Sequence, residues 1–291
     1  MMLMKNLAWI DGRVSDLSEA KVSIEDRGYL LGDGVYEVIR IYNGRPFYLN
    51  AHLDRLQNSA AAIRLSIPYT MEEIVTTSEE LIGSSGCREG YIYMQLTRGS
   101  SKRDHLFPTD ASPTLAIYVR ELDALSEIDA ISLQSCITLP DERWMNCNIK
   151  TINLLPNLLA RQKAAEAGAI EAILYRPGGI VTEGTRSNLF AVIDDRVFTH
   201  PETNLILPGI TRRIVLDILN KLAIPFSENP FTLNNLEKAS EIWITSTTME
   251  VNPVGEVDGK PVGGSTVGTT CLNVMQEFRN QIAENCFKDV T

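Results

Sequence analysis

Closely spaced cysteines are missing from this chain: its five thiols stand at positions 87, 136, 147, 271 and 286. An odd number at such spacing fits neither a disulfide framework nor a zinc site. Histidine occurs three times, at 52, 105 and 200, too few for a histidine-rich metal centre, so no metal is expected. A basic patch is missing too. The formal net charge is −10 and the Lys and Arg residues are scattered, which argues against a nucleic-acid partner but leaves room for a local positive pocket that takes a small anion. No apolar run approaches the ~20 residues that cross a bilayer. Met1 to Leu7 is too short and too quickly polar for a signal peptide. There are no internal repeats and no low-complexity stretches. The expectation is a cytoplasmic protein without a nucleic-acid or membrane partner.

What is present is the composition of a globular protein, 44% hydrophobic and 22% charged over 291 residues, enough for an ample core and about two domains. Asp11-Gly12 and Asn43-Gly44 each lie between apolar runs and suit the positive φ angles of a tight type I′ hairpin. Asn50 is expected to cap a helix in which Leu53, Leu56, Ala60 and Ile63 recur at helical spacing. Thr70 with Glu73 forms a capping-box pattern for a second helix that ends near Gly83 or Gly86. Strands are expected from Tyr91 to Thr97 and from Thr114 to Val119. Residues 1–120 therefore read as a small domain of helices and mostly antiparallel strands, with 121–126 as a polar linker. Residues 127–291 read as a larger domain. It holds strands from Ile131 to Leu139, Glu171 to Arg176, Ser187 to Ile193 and Glu241 to Thr245, with helices from Leu154 to Ala167, Ile210 to Leu222 and Thr266 to Ile282. Gly28, Gly32 and Gly34 lack the third glycine of a dinucleotide fingerprint and read as turn residues.

Lys150 is where chemistry is expected. It is the one basic residue between Trp144 and Ala160, with Ile149, Ile152, Leu154 and Leu155 around it. An extended backbone sends Lys150 and Ile152 to one face, at least partly buried. A lysine in a dry site loses basicity because its charged form is poorly solvated, and it then serves as an amine nucleophile. Four other segments carry groups of interest. Glu183 is an acid between apolar strands. Leu207-Pro208-Gly209-Ile210-Thr211 opens a helix, where free N–H groups favour an anion. Thr245-Ser246-Thr247-Thr248 puts four hydroxyls at a strand end, and Arg55 stands early on a helix. Singly, each has an ordinary explanation as a solvated lysine, a surface acid, a plain cap or an exposed arginine.

Together they carry a resemblance. Glu25-Asp26-Arg27-Gly28-Tyr29, Gly32-Asp33-Gly34-Val35-Tyr36-Glu37, His52-Leu53-Asp54-Arg55-Leu56, Asn148-Ile149-Lys150, Val181-Thr182-Glu183-Gly184 and Thr245-Ser246-Thr247-Thr248 resemble, in order and spacing, the motifs of the class IV (fold type IV) pyridoxal-phosphate-dependent aminotransferases. The likeness runs from about Trp9 to the last helix. It implies an α+β / α/β fold, with a small N-terminal α/β domain and a larger C-terminal pseudo-barrel domain, assembled as a homodimer with a shared active site. It implies pyridoxal 5′-phosphate held by Lys150 as a Schiff base, with Glu183 against the ring nitrogen and Leu207 bracing the ring. Arg55, Ile210, Thr211, Thr247 and, as a weaker member, Ser246 would surround the phosphate.

Within that family the likeness is closest to the D-amino-acid-specific members. Arg98-Gly99-Ser100-Ser101-Lys102-Arg103-Asp104-His105-Leu106-Phe107-Pro108 resembles their substrate-carboxylate loop. Arg103 and His105 match its carboxylate donors, reaching across from the partner subunit, and Tyr36 is the third donor. The implied reaction moves the amino group of a D-amino acid, of D-alanine type, to a 2-oxo acid such as 2-oxoglutarate. With the α-hydrogen aimed at the lysine, D and L substrates exchange the positions of carboxylate and side chain, so the carboxylate site selects the hand. Thr185 and Arg186 stand where small serines are expected, which leaves the substrate range open. The alternatives are an L-branched-chain aminotransferase, a lyase of the same fold releasing pyruvate from an aminodeoxychorismate-like substrate, and a non-catalytic protein on the same scaffold.

Overall fold

The computed structural model describes residues 5–124 and 126–287; Leu125 of the expected linker and the expected domain ends at 1–4 and 288–291 lie outside the described residues. The chain divides into two units. The first comprises Met1–Leu125, Ile149–Asn153 and Ile282–Thr291, and the second Ser126–Asn148 and Leu154–Gln281. Lys150 thus belongs to the first unit.

That unit is built on strands β1 (Leu7–Ile10), β2 (Arg13–Asp16), β3 (Gly34–Tyr42), β4 (Arg45–Pro46), β5 (Gly90–Thr97) and β6 (Thr114–Glu121), with helices α1 (Arg27–Leu31), α2 (Leu49–Ala62) and α3 (Met71–Ser85). The strands form one antiparallel sheet in the order β2-β1-β6-β5-β3-β4. Both expected hairpin turns are present, with φ of 45° and 89° at Asp11 and Gly12 and of 50° and 76° at Asn43 and Gly44. Alternation places Val35, Ile39, Ile41, Ile92, Met94, Leu96, Leu115, Ile117 and Val119 on the sheet face that packs Leu53, Leu56 and Ala60 of α2 and Ile74, Leu81 and Ile82 of α3. The opposite face carries a tyrosine row, in which Tyr36 stacks on Tyr93 at 5.7 Å and Tyr93 on Tyr118 at 4.9 Å.

The helix ends show where local pattern and tertiary packing part. The α3 box is present in full, Thr70 and Glu73 bonding each other's backbone N–H. For α2 the expectation of an Asn50 cap is corrected: the cap is Tyr48 at φ 56°, and Asn50 lies inside the first turn. Phe47 and Tyr48 pack edge to face at 4.7 Å, and burial of Leu49 draws the helix start forward.

The second unit contains β7 (Gln134–Pro140), α4 (Leu155–Glu166), β8 (Glu171–Arg176), β9 (Ile180–Gly184), β10 (Asn188–Ile193), β11 (Arg196–Phe198), α5 (Ile210–Lys221), β12 (Phe226–Ser227), α6 (Leu233–Leu236), β13 (Glu241–Ser246), β14 (Glu250–Val257), β15 (Lys260–Pro261) and α7 (Thr269–Ile282). The strand order is β12-β11-β10-β13-β14-β7-β8-β9, with β15 on β14. β7 and β8 are parallel, as their crossover through α4 requires. A side-chain hydrogen bond from β10 to β9, Asn188 to Glu183 at 2.8 Å, brings the last strand of that order back against an inner one, so the sheet curls. Its core is formed by Cys136, Ile173, Val181, Leu189, Ala191, Ile242, Ile244 and Val254. β7 starts at Gln134 rather than Ile131, because Ile128–Ala130 make a 3-10 turn. α7 starts at Thr269 rather than Thr266. The Glu241 carboxylate, from β13, accepts the N–H groups of Thr270 and Cys271 at 3.0 and 2.8 Å and so sets that end. Among the described residues no helix is long and apolar enough to cross a membrane.

Candidate active site

One group of candidate residues, within the first unit, forms at the edge of β3 that β5 leaves uncovered. Residues 150–152 pair there: Tyr36 N–H donates to the Lys150 carbonyl at 3.0 Å, Ile152 N–H donates to the Gly34 carbonyl at 3.2 Å, and Val35 bridges Thr151. Lys150 N–H donates to Ser59 Oγ of α2 at 3.1 Å. The backbone of Lys150 is therefore fixed from two sides. Its Nζ stands 4.3 Å from the centroid of the Tyr36 ring, within cation–π range. Gly34 has to be glycine, since a Cβ there would run into the Leu96 carbonyl and the Ile152 side chain.

One position along β3 the side chains reverse. Glu37 points at α2, fully buried, and meets His52 and Arg55, which share a helix face at i, i+3. Arg55 donates from Nε to Glu37 Oε1 at 2.7 Å and from Nη2 to Oε2 at 2.9 Å, and His52 Nδ1 lies 2.7 Å from Oε2. Burial alone would raise the Glu37 pKa. The Arg55 charge, with the hydrogen bonds to Arg55 and His52, outweighs it and holds the carboxyl far below its ordinary range. Burial lowers the His52 pKa in spite of Glu37, so the ring is neutral and donates from Nδ1. Glu37 grips one edge of the Arg55 fork and sets its plane. Glu37 and His52 lay inside quoted motifs without a role; the signal was a lone acid on the apolar face of β3.

A separate group, within the second unit, is centred on Glu183, at the end of β9 and buried. Arg143 Nη1 donates to Glu183 Oε1 at 2.5 Å, Asn188 Nδ2 donates to Oε2 at 2.8 Å, and Leu207 N–H reaches both oxygens at 3.1 Å. Asn188 Nδ2 also donates to the Leu207 carbonyl at 2.9 Å, so Glu183 and Leu207 are fixed as one piece. Asp141 holds Arg143 by two further bonds of 2.9 Å. Burial pushes the Glu183 carboxyl up to about 7 against the pull of Arg143. Burial likewise disfavours the Arg143 charge, but Glu183 and Asp141 prevail and keep the guanidinium charged. Arg143 and Asn188 were not anticipated. A buried Asn opening an otherwise apolar strand was the available signal.

The helix opening lies beside this group. Gly209 precedes α5, and a Cβ on it would collide with Asn188 Oδ1. No side chain caps α5, so its first turn, with Ile210 and the buried Thr211, offers backbone N–H groups to an anion. Asn188 and Thr245 are register partners and so share a sheet face. On that face the Thr245 hydroxyl is buried with no hydrogen-bond partner among the described residues. Ser246 and Thr247 follow at the strand end, half-buried, where Ser246 Oγ accepts from Met249 N–H at 3.2 Å. The unusual Thr185 and Arg186 are explained by Glu171, a buried acid on β8. It accepts from Thr185 N–H, Thr185 Oγ1, Arg186 N–H and Ser187 Oγ at 3.1, 2.5, 3.3 and 2.9 Å. Thr185 is thereby a tie, and the Arg186 side chain is exposed, against Met249 sulfur at 3.6 Å.

Arg103 and His105 stand exposed on the loop after β5, and their side chains make no hydrogen bond or ion pair among the described residues. The structure thus joins Lys150 to Tyr36, and Glu183 to Leu207. It leaves Arg103 and His105 facing solvent in this chain.

A sequence model of the family "Amino-transferase class IV" matches residues 34–257. The D-alanine aminotransferase of Bacillus licheniformis is 42% identical over 280 residues, covering 96% of this chain and 98% of that protein. Among solved structures, the branched-chain amino acid aminotransferase of Escherichia coli superposes with a TM-score of 0.89 at 26% identity, over 95% and 94% of the two chains. A branched-chain amino acid aminotransferase from T.th., solved with pyridoxamine 5′-phosphate, gives 0.88 at 28% identity, over 96% and 94%.

Proposed function

The chain belongs to the class IV aminotransferase family, and we propose that it transfers the amino group of D-amino acids, of D-alanine type, to 2-oxo acids such as 2-oxoglutarate. It is a pyridoxal-phosphate-dependent transferase. When bound, that cofactor supplies an aldehyde that exchanges with amines and a ring that accepts the electron pair left by a departing α-proton. The residues present fit such a group: an uncapped helix start for a phosphate, an orphaned buried hydroxyl at Thr245, and an acid held rigidly for a ring nitrogen. Lys150 would hold the aldehyde carbon and, once displaced, would take the α-proton and deliver it to that same cofactor carbon. Glu183 would keep the ring nitrogen protonated, with Leu207 against the ring. Arg55, Ile210, Thr211, Ser246 and Thr247 would hold the phosphate.

The observation that carries the reading is the placement of Tyr36, a carboxylate donor whose ring lies against the Lys150 amine. The carboxylate therefore binds next to the base, and Arg103 and His105 complete its trap. That trap favours the D hand over the branched-chain reading suggested by the structural neighbours. We place Arg103 and His105 in the active site of the partner subunit of a homodimer. Both are exposed at home, and Leu155, Leu158 and Leu159 form an apolar stripe on α4 that a second copy would cover. Five unpaired, buried cysteines fit a cytoplasmic location.

The test is amino-group exchange from D- and L-alanine in parallel, with 2-oxoglutarate as acceptor. D-alanine is expected to give pyruvate and D-glutamate, with L-alanine far slower. A preference for L-leucine or L-valine would return the assignment to the branched-chain class.

A further inference from the structure

Asp33 lies in the Gly32-Asp33-Gly34 motif, and the reaction proposed above gives it no part. Its carboxylate is nevertheless the centre of a buried cluster. It accepts Arg27 Nε at 2.8 Å, and Arg98 Nε and Nη2 at 2.8 and 3.0 Å. The backbone repeats the tie, since Arg98 N–H donates to the Asp33 carbonyl at 3.1 Å. Burial would raise the Asp33 pKa, but Arg98 and then Arg27 bring it below the ordinary value, so the carboxylate is charged.

Both arginines are also attached to the loop that follows β5. Arg27 Nη1 donates to the carbonyl of Asp104, the residue between Arg103 and His105, at 2.7 Å. Arg27 N–H donates to the Gly99 carbonyl at 2.9 Å. Arg98 starts the loop, and Phe107 near its end lies with its ring centroid 3.7 Å from the Arg98 guanidinium carbon. Arg98 is braced from below by the carbonyls of Ile63 and Arg64 at 2.8 and 2.9 Å. The loop is thus held at its start, its middle and its end by one carboxylate and two arginines. The two side chains meant to meet the substrate are left free.

We propose that Asp33, Arg27 and Arg98, with Phe107, are positioning residues that pre-form the carboxylate trap by fixing the backbone on either side of Arg103 and His105. Asp33 directly precedes the strand that carries Tyr36, so one group sets the registers of all three carboxylate donors. The inference rests on the reading of Arg103 and His105 given above. A trap held at a fixed spacing loses no backbone freedom when the substrate arrives, whereas a slack loop would have to be ordered at each binding event.

The experiment compares Arg27→Lys, Phe107→Ala and Arg103→Ala in the holoenzyme. Arg27→Lys keeps the charge beside Asp33 and loses the reach to Asp104. Phe107→Ala removes the ring stacked on Arg98 and loosens the loop end while leaving the ion pairs of Asp33 with Arg27 and Arg98 in place, and it serves should Arg27→Lys fail to fold. Each of these two is expected to raise KM for D-alanine and for 2-oxoglutarate by roughly tenfold, with kcat and the cofactor absorption little changed. Combined with Arg103→Ala, each should add less than its own full factor, because one of the groups it positions is gone. An unchanged KM in both variants, or factors that multiply in the double variants, would overturn the inference while leaving the trap in place. An unchanged KM in Arg103→Ala itself would overturn the trap and the inference together.

Discussion

Lys150 is tied by its backbone and loose at its amine. Ser59 and Tyr36 fix its N–H and carbonyl, and neither bond involves the side chain, so Lys150→Ala should fold. It should retain cofactor through Arg55 and the start of α5 but lose turnover. Borohydride reduction of the holoenzyme followed by peptide mapping should put the adduct on Lys150, and an adduct on Lys163 or Lys238 would remove the assignment. Glu183 lends itself to a test in two directions. Glu183→Gln keeps the shape and weakens the grip on a protonated ring nitrogen, so single-turnover α-proton removal should slow by more than tenfold, ~1.4 kcal/mol of barrier. In cofactor-free protein the sign reverses for stability. The carboxyl is raised from 4.5 to about 7 on folding, so the folded state holds the proton more tightly between those values and stability falls as pH rises through them. The melting temperature of Glu183→Gln should lack that fall. Lys150, Glu183 and Arg55 stand out in the sequence as candidates because motif spacing carries them. Arg143, Asn188 and Glu37 do not, because their partners are set by strand pairing; Arg143 meets Glu183 across 40 residues.

At the scale of elements, the opening of α5 depends on one missing side chain. Gly209→Ala would push a Cβ into Asn188 Oδ1, the residue that joins Glu183 to Leu207. Overpacking of that kind costs roughly 1–3 kcal/mol, and here it should also lower affinity for added pyridoxal 5′-phosphate, read by absorbance titration. Gly83→Ala is the control. Gly83 lies within α3 with open space around it, so alanine should be neutral or slightly stabilising and leave cofactor binding alone. Helices with a clear 3.6-residue apolar period, such as α2 and α5, were readable from sequence, as were the two Gly hairpins. Ends fixed from elsewhere were not, as with α7, whose cap is a carboxylate on β13. The short strands β11, β12 and β15 escaped for a related reason: two or three residues carry no period, and pairing alone defines them.

For the whole molecule, the proposed homodimer raises the question of which chain supplies the trap. Within the single chain the Tyr36 ring sits against Lys150, while Arg103 and His105 face solvent. If these two serve the partner's site, each active site of the dimer needs Lys150 from one chain and Arg103 from the other. Lys150→Ala and Arg103→Ala should then be defective as separate homodimers and recover activity when co-refolded. A hybrid holds one site with neither group and one with both. Random pairing makes about half of all dimers hybrid, so the mixture should regain about a quarter of wild-type D-alanine turnover. The recovered activity should show the wild-type KM, because the restored site is complete. Were Arg103 to act on the Lys150 of its own chain, no hybrid site would be complete, and mixing would return no more than the sum of the two variants. A concentration-independent wild-type rate down to fully dissociated protein would give the same answer, since a cross-subunit trap cannot exist in a monomer.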